Sequence, residues 1–297
     1  MKAPIFIFNL FLLSACGEQN TESESMVQEE IVIDSAQEQT FIEENRSTEL
    51  LPDINFSSEL MELAVNSEVD TKTSVTETTA LDFHLYTNYS LFLHSYVSSK
   101  GVVNYKGIKT NIELLNSLIT DFQSNYPATD WSRNESLSYW INAYNLFTIK
   151  LVVDNYPTSS ITNITAKPWD KQFIQLNGET LSLNDIEHKK IRVKYNEPRI
   201  HFALNCASLS CPQLLNKAFL PSKLDSQLTR KTRLFLADKS KNDFSNPSVI
   251  RISKLFDWYK SDFEKKGSLI DFINTYRAEQ LSDPSINYLE YSWDLND

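Results

Sequence analysis

Apolar residues recur at helical spacing through most of the chain after residue 80. This periodicity predicts helices over 81–98, 108–122, 136–155, 183–188, 224–236, 255–263 and 269–276. The helix over 136–155 has the strongest pattern, and Pro157 ends it because proline cannot continue a helix. The sequence therefore predicts a helix-rich domain.

Strand patterns are shorter and fewer than the helical ones. They predict a hairpin over 173–181 with a turn at Asn177 and Gly178, a buried strand over 199–204, and strands over 249–252 and 286–295. Helices outnumber strands and do not alternate with them, which favours an α+β fold over a doubly wound sheet. We therefore expect a single compact α+β domain with one core and a small, mostly antiparallel sheet.

Charge divides the chain into two parts. Residues 17–79 hold 16 acidic and two basic side chains, whereas all five Trp and all thirteen Tyr follow residue 80. Such an acidic, aromatic-poor segment cannot bury enough apolar surface to offset the entropy of ordering it. The pattern predicts a disordered tether over 16–79 and a globular domain over 80–297. The formal net charge of −11 comes from the tether, and no basic surface indicates a nucleic-acid partner.

The N-terminus has the pattern of an export signal. Lys2 precedes an apolar run over 5–13 that is too short to span a bilayer, which predicts a signal peptide over 1–15. The following segment, 13–16, resembles the lipobox of bacterial lipoproteins, in which the cysteine is acylated. This predicts a cell-envelope protein held in the lipid bilayer through Cys16, on the periplasmic side of the outer membrane or at the cell surface.

The candidate chemistry lies between residues 187 and 211. Cys206, two histidines (His188 and His201) and Glu187 are the side chains of a cysteine hydrolase: a nucleophile, a base and a carboxylate that orients the imidazole. In this hypothesis Cys206 attacks an amide or thioester carbonyl, and His201 or else His188 is the base. Asn205 or a backbone amide over 207–211 stabilises the oxyanion. The predicted strand would place His201 and Asn205 on one face.

The second cysteine leaves other interpretations open. In an oxidising compartment Cys206 and Cys211 could instead form a disulfide, and the domain would then be a non-catalytic binding module. Two inert buried thiols are the third alternative. Pro212 suits the first turn of a helix, whose N-terminus would favour a thiolate at Cys211.

Histidine and cysteine side chains could also hold a metal, and asparagine amides could bind a ligand. The spacings of 13, 5 and 5 residues between His188, His201, Cys206 and Cys211 match no zinc-finger pattern, so we expect no metal and no cofactor. Asn142 and Asn145 are candidate binding amides, or else they satisfy buried backbone groups. Trp140 and Tyr144, one helical turn apart, are expected in the core rather than as a substrate platform.

Four separated motifs resemble the domain-of-unknown-function 547 family. They are the segments 139–145, 183–188 and 199–212, and a tail formed by 256–259 and 288–296. The resemblance covers about 85–295 and implies a site like those of cysteine peptidases or transglutaminases, with Cys206 favoured over Cys211 as nucleophile. The candidate substrates are small and peptide-like: a periplasmic peptide, a peptidoglycan fragment or a glutathione-like thiol. Asn184 and Gln213 depart from the family pattern at positions outside this chemistry.

Overall fold

The computed structural model of the chain describes residues 85–297. The predicted signal peptide over 1–15, the predicted acylation site Cys16 and the predicted tether over 16–79 lie outside the described residues. No helix in the described part of the chain is long and apolar enough to cross a membrane.

Helices make up most of the described chain, as the periodicity predicted. The α-helices are α1 (Leu85–Tyr96), α2 (Tyr105–Thr110), α3 (Ile112–Ser124), α4 (Arg133–Asp154), α5 (Leu224–Ala237), α6 (Leu255–Trp258), α7 (Lys260–Phe263) and α8 (Leu269–Tyr276). The helix predicted at 183–188 is a π-helix, Asp185–Arg192, and short 3₁₀ turns join the others. The single helix predicted over 108–122 is two helices, because the backbone N–H of Asn111 bonds back to Gly107 and Ile108 and ends α2.

The strands form two separate two-stranded sheets. Strand β1 (Ile174–Leu176) pairs antiparallel with β2 (Glu179–Leu181), and the predicted turn residues Asn177 and Gly178 both have positive φ, 49° and 77°. Strand β3 (Val249–Ile252) pairs in parallel with β4 (Ser285–Tyr288). The predicted closing strand over 286–295 therefore ends at residue 288, and the chain continues without regular structure. The α+β fold is confirmed.

Helix α4 runs through the larger of two hydrophobic clusters. It begins with a capping box between Ser132 and Glu135, and side chains on every face of it from Leu137 to Val153 are buried. A helix that is buried all round belongs to a core rather than to a surface. Trp140 and Tyr144 are each 2% exposed, so the prediction that both are core residues is confirmed.

The buried side chains of the described residues form two clusters instead of the single core predicted. The larger packs around α1–α4 and the hairpin, and the smaller packs around α5–α8. The segment 198–204 lies between them, because Ile200 and Leu204 belong to the larger cluster and Phe202 to the smaller. This border is where the candidate site lies.

Two local predictions near the site are wrong. The strand predicted over 199–204 is a 3₁₀ helix, Pro198–Phe202, in which Ala203 N–H donates to the carbonyl of Ile200. Ile200, His201 and Phe202 are buried, so the apolar run resembles a buried strand, and periodicity alone cannot distinguish a short helix from a strand. The segment 212–220 is irregular, and no helix begins at Pro212. The expected strand face and the helix N-terminus beside Cys211 are therefore both absent.

Candidate functional site

A cleft of about 210 Å³ opens where the two clusters meet. Six of the fourteen residues that line it are aromatic: Tyr144, Trp169, Trp258, Tyr259, Tyr291 and Trp293. The predicted residues Glu187, His201, Cys206 and Cys211 line the same cleft. The structure thus brings the candidate chemistry into a concave site rich in aromatic rings, the kind of place where proteins hold small ligands.

The two cysteines form a disulfide, with 2.02 Å between their sulfurs. The turn that carries them is closed further by Cys206 N–H, which donates to Cys211 Sγ at 2.8 Å. The hydroxyl of Tyr291 lies 3.1 Å from Cys206 Sγ, and burial raises the pKa of this phenol to about 12, so that it stays protonated. Cys206 is half-buried and Cys211 is buried. In this bonded form neither sulfur is a thiolate nucleophile.

His201 is buried and held between an acid and an aromatic ring. Its Nε2 lies 2.8 Å from Asp262 Oδ2, and its ring stacks on Tyr259 with 3.8 Å between centroids. Burial lowers the pKa of His201, an effect that outweighs the hydrogen bond to Asp262, so the ring is neutral near pH 7. Because Asp262 is ionised, the neutral ring donates Nε2–H to it.

Asp262 is the carboxylate that orients His201, a role the sequence assigned to Glu187. It also accepts from Arg192 Nε at 2.6 Å and from Lys265 Nζ at 3.0 Å. Burial alone would raise the pKa of Asp262, but the hydrogen bonds from these three side chains hold it well below its usual range. Asp262 lies 61 residues after His201 in the chain. Nothing in the sequence distinguishes it from other acidic residues of the helices, so its role could not be predicted.

Glu187 lines the cleft without contacting His201 through a hydrogen bond. Its side chain is 4% exposed, and among residues 85–297 its Oε1 has no hydrogen-bond partner. The negative charge of this carboxylate raises the pKa of Tyr259, an effect second to that of burial. Glu187 is therefore a buried charge at the cleft rather than the orienter of the imidazole.

His188 lies away from the cleft. It is half-buried, and its Nδ1 lies 2.9 Å from Nη1 of Arg192, the residue that also bonds to Asp262. Consecutive side chains of a helix point in different directions, and here Glu187 lines the cleft whereas His188 does not. The structure thus places Glu187, His201 and Cys206 at the cleft and leaves His188 outside it.

Three asparagines that the sequence offers as candidate binding residues bond to backbone groups and hold loops in place, which was the alternative given for Asn142 and Asn145. Asn145 accepts from Asn205 N–H at 2.9 Å and donates to the carbonyl of Ala203 at 3.0 Å, which fixes the loop before the disulfide on α4. Asn205 in turn donates to the carbonyl of Pro212 at 2.9 Å, across the disulfide turn. Asn142 makes two similar bonds to the backbone of a later loop, at 2.8 and 2.9 Å. Their amides are occupied by backbone groups, so these residues position the cleft.

The described residues offer no site of the kind that holds a metal. Among residues 85–297 no three or more histidine, cysteine, aspartate and glutamate side chains come together as a ligand set. Asp262, the acid that orients His201, is instead paired with Arg192 and Lys265.

The segment 128–236 contains α4, the π-helix, the disulfide turn and α5, and it matches the model of one protein family. That family is described as "Protein of unknown function, DUF547". The resemblance predicted from the motifs is confirmed over this segment. No curated protein and no solved structure matches the chain.

The DUF547 segment supplies one side of the cleft. Glu187, His201 and both cysteines lie inside the matched residues, whereas Asp262, Trp258 and the aromatic tail follow them. The cleft is therefore completed by a part of the chain beyond the DUF547 match. The tail carries Tyr291 and Trp293, which we did not predict as site residues, although their alternate spacing in the strand predicted over 286–295 would place them on one face.

Proposed function

We propose that the protein is a ligand-binding module of the cell envelope, in which the Cys206–Cys211 disulfide is part of the wall of the binding cleft. The disulfide carries this proposal, because bonded sulfurs at the cleft stabilise a shape and offer no nucleophile. The loops around it are fixed by Asn145 and Asn205, so the cleft is formed in advance of binding.

A cysteine hydrolase acting on an amide or thioester is the second candidate function. One observation favours it: Cys206 and His201 line the same cleft, and Asp262 holds the imidazole as the third member of a triad would. This function requires Cys206 as a free thiol, with its proton passing to His201 as the carbon–sulfur bond forms. The two candidates therefore differ in one measurable property, the reactivity of Cys206.

A fluorescent chloroacetamide probe separates the two candidates. We expect no labelling of the detergent-solubilised protein at pH 6, because both sulfurs of the cleft are bonded. The Cys211→Ser variant is the positive control, since it frees the half-buried Cys206 for the probe. Rapid labelling of the wild-type protein that Cys206→Ser abolishes would contradict the binding proposal and favour the hydrolase.

The envelope location rests on the lipobox-like segment before Cys16. Acylation of this cysteine would hold the domain at a lipid bilayer, and more than one acyl chain is needed for stable anchoring. We expect Cys16→Ser to move the protein from the membrane fraction to the soluble fraction and to abolish incorporation of labelled palmitate. Wild-type protein that takes up no label would overturn the lipoprotein proposal and leave the cleft proposal untouched.

A further inference from the structure

We propose that the cleft binds a small organic cation, an ammonium group held by the aromatic wall above the buried charge of Glu187. This inference rests on the proposed binding function and names the class of ligand. The first observation that supports it is the state of the Glu187 carboxylate. The side chain is 4% exposed and lines the cleft, and its Oε1 has no hydrogen-bond partner in the described chain. An unpaired buried charge is costly, so a site that keeps one favours a ligand of opposite charge.

The nearby cations are already bound elsewhere. Arg192 donates to Asp262, and among residues 85–297 Glu187 takes part in no salt bridge. His201 is neutral near pH 7 and adds no positive charge to the cleft. Glu187 is the one acid among the residues that line the cleft, and no lysine or arginine lines it, so the surface that a ligand would touch favours a cation.

Four aromatic rings of the cleft wall lie close together. The ring centroids of Trp258 and Tyr291 are 4.8 Å apart, those of Tyr291 and Trp293 are 4.6 Å apart, and Trp169 lies 5.2 Å from Trp293. Aromatic faces carry negative partial charge and attract ammonium groups, and several rings around one position form a cage for them. Trp258 is 45% exposed, so a ligand can reach this wall from solvent.

The size of the cleft limits the ligand. A volume of about 210 Å³ is below that of pockets that enclose drug-sized molecules, so the ligand is a small cation or presents only its ammonium end. The lining contains no free cationic side chain that would pair with a carboxylate or phosphate on the ligand. These features favour an amine or quaternary ammonium compound over a zwitterion or an anion.

Choline and its neutral isostere 3,3-dimethylbutan-1-ol test the proposal, because they have nearly the same shape and differ in charge. We expect choline to change the tryptophan fluorescence of the full-length protein with millimolar affinity or better, and to bind roughly tenfold more tightly than the isostere. Equal binding of both compounds would overturn the proposal that the ligand is a cation, but it would still support a cleft that binds ligands. Binding of neither in the millimolar range would also overturn it.

Two variants test whether Glu187 causes the preference for choline over its neutral isostere. Glu187→Gln keeps the shape of the side chain, and we expect it to remove most of the preference for choline while the isostere binds as before. Glu113→Gln removes an exposed acid of α3 and should change neither affinity. An unchanged preference in Glu187→Gln would contradict the assigned role. If that variant does not fold, the comparison of the two ligands on wild-type protein still decides the proposal.

The outcomes separate this inference from the proposed function. Labelling of Cys206 by the chloroacetamide probe would refute the disulfide-walled module even if choline binds. Failure of choline selectivity would refute only the ligand class, because the state of the two cysteines is measured independently.

Discussion

Replacing Trp140 with alanine should lower the free energy of unfolding by about 3–5 kcal/mol, the cost of deleting a fully buried aromatic side chain. The indole is 2% exposed on α4 and meets the rings of Tyr126 and Tyr139 edge-on at 5.5 and 5.2 Å. Removing it leaves a cavity in the larger cluster that the neighbouring rings cannot fill by a small shift. Urea denaturation of the wild-type protein and the variant measures the difference.

Trp258→Ala is the matched control, since it removes the same side chain from an exposed position. Trp258 is 45% exposed in the cleft wall, so its loss should cost much less stability than the loss of Trp140. The same variant should weaken choline binding, whereas Trp140 is not part of the cleft lining. A loss below about 1 kcal/mol for Trp140→Ala would contradict its placement in the core.

Replacing Asp262 with asparagine should lower the free energy of unfolding by about 3 kcal/mol. Removing one partner of a buried ion pair costs roughly 3–5 kcal/mol, and the lower end applies because Arg192 and Lys265 keep some access to water. The substitution also removes the ionised acceptor of His201, which is buried and cannot turn to solvent. Thermal and urea unfolding of the variant measure the loss.

Asp243→Asn serves as the comparison for Asp262. Asp243 pairs with Arg251 at 2.7 Å, but both side chains are open to solvent and water screens the pair. We expect a far smaller change in unfolding free energy for this variant. Equal losses for Asp243→Asn and Asp262→Asn would contradict the buried network around His201.

The sequence predicted the long elements because their patterns are strong. Helix α4 has a capping residue, an apolar run and a terminating proline, and the observed helix begins three residues before the predicted one. The hairpin was predicted equally well, because an Asn–Gly pair between two apolar segments specifies one kind of turn. Local physical chemistry was sufficient in both cases.

The candidate site was predicted less completely, because its geometry depends on contacts between residues that are far apart in the sequence. Periodicity could not distinguish the 3₁₀ helix Pro198–Phe202 from a strand, since both clusters bury its side chains. Asp262 reaches His201 across 61 residues, a distance in the chain that no short motif spans. The alternatives for Cys206 and Cys211 also stayed open, because spacing alone does not fix whether two nearby cysteines are bonded.

Measuring whether Cys206 and Cys211 are bonded tests most directly the proposal that a disulfide forms part of the wall of the binding cleft. Full-length Cys16→Ser protein, which keeps only these two cysteines, is purified from cells without reductant, unfolded in iodoacetamide and weighed by intact mass spectrometry. We expect no carbamidomethyl group before reduction and two after it. Two groups without reduction would show free thiols and would contradict a binding cleft walled by a disulfide.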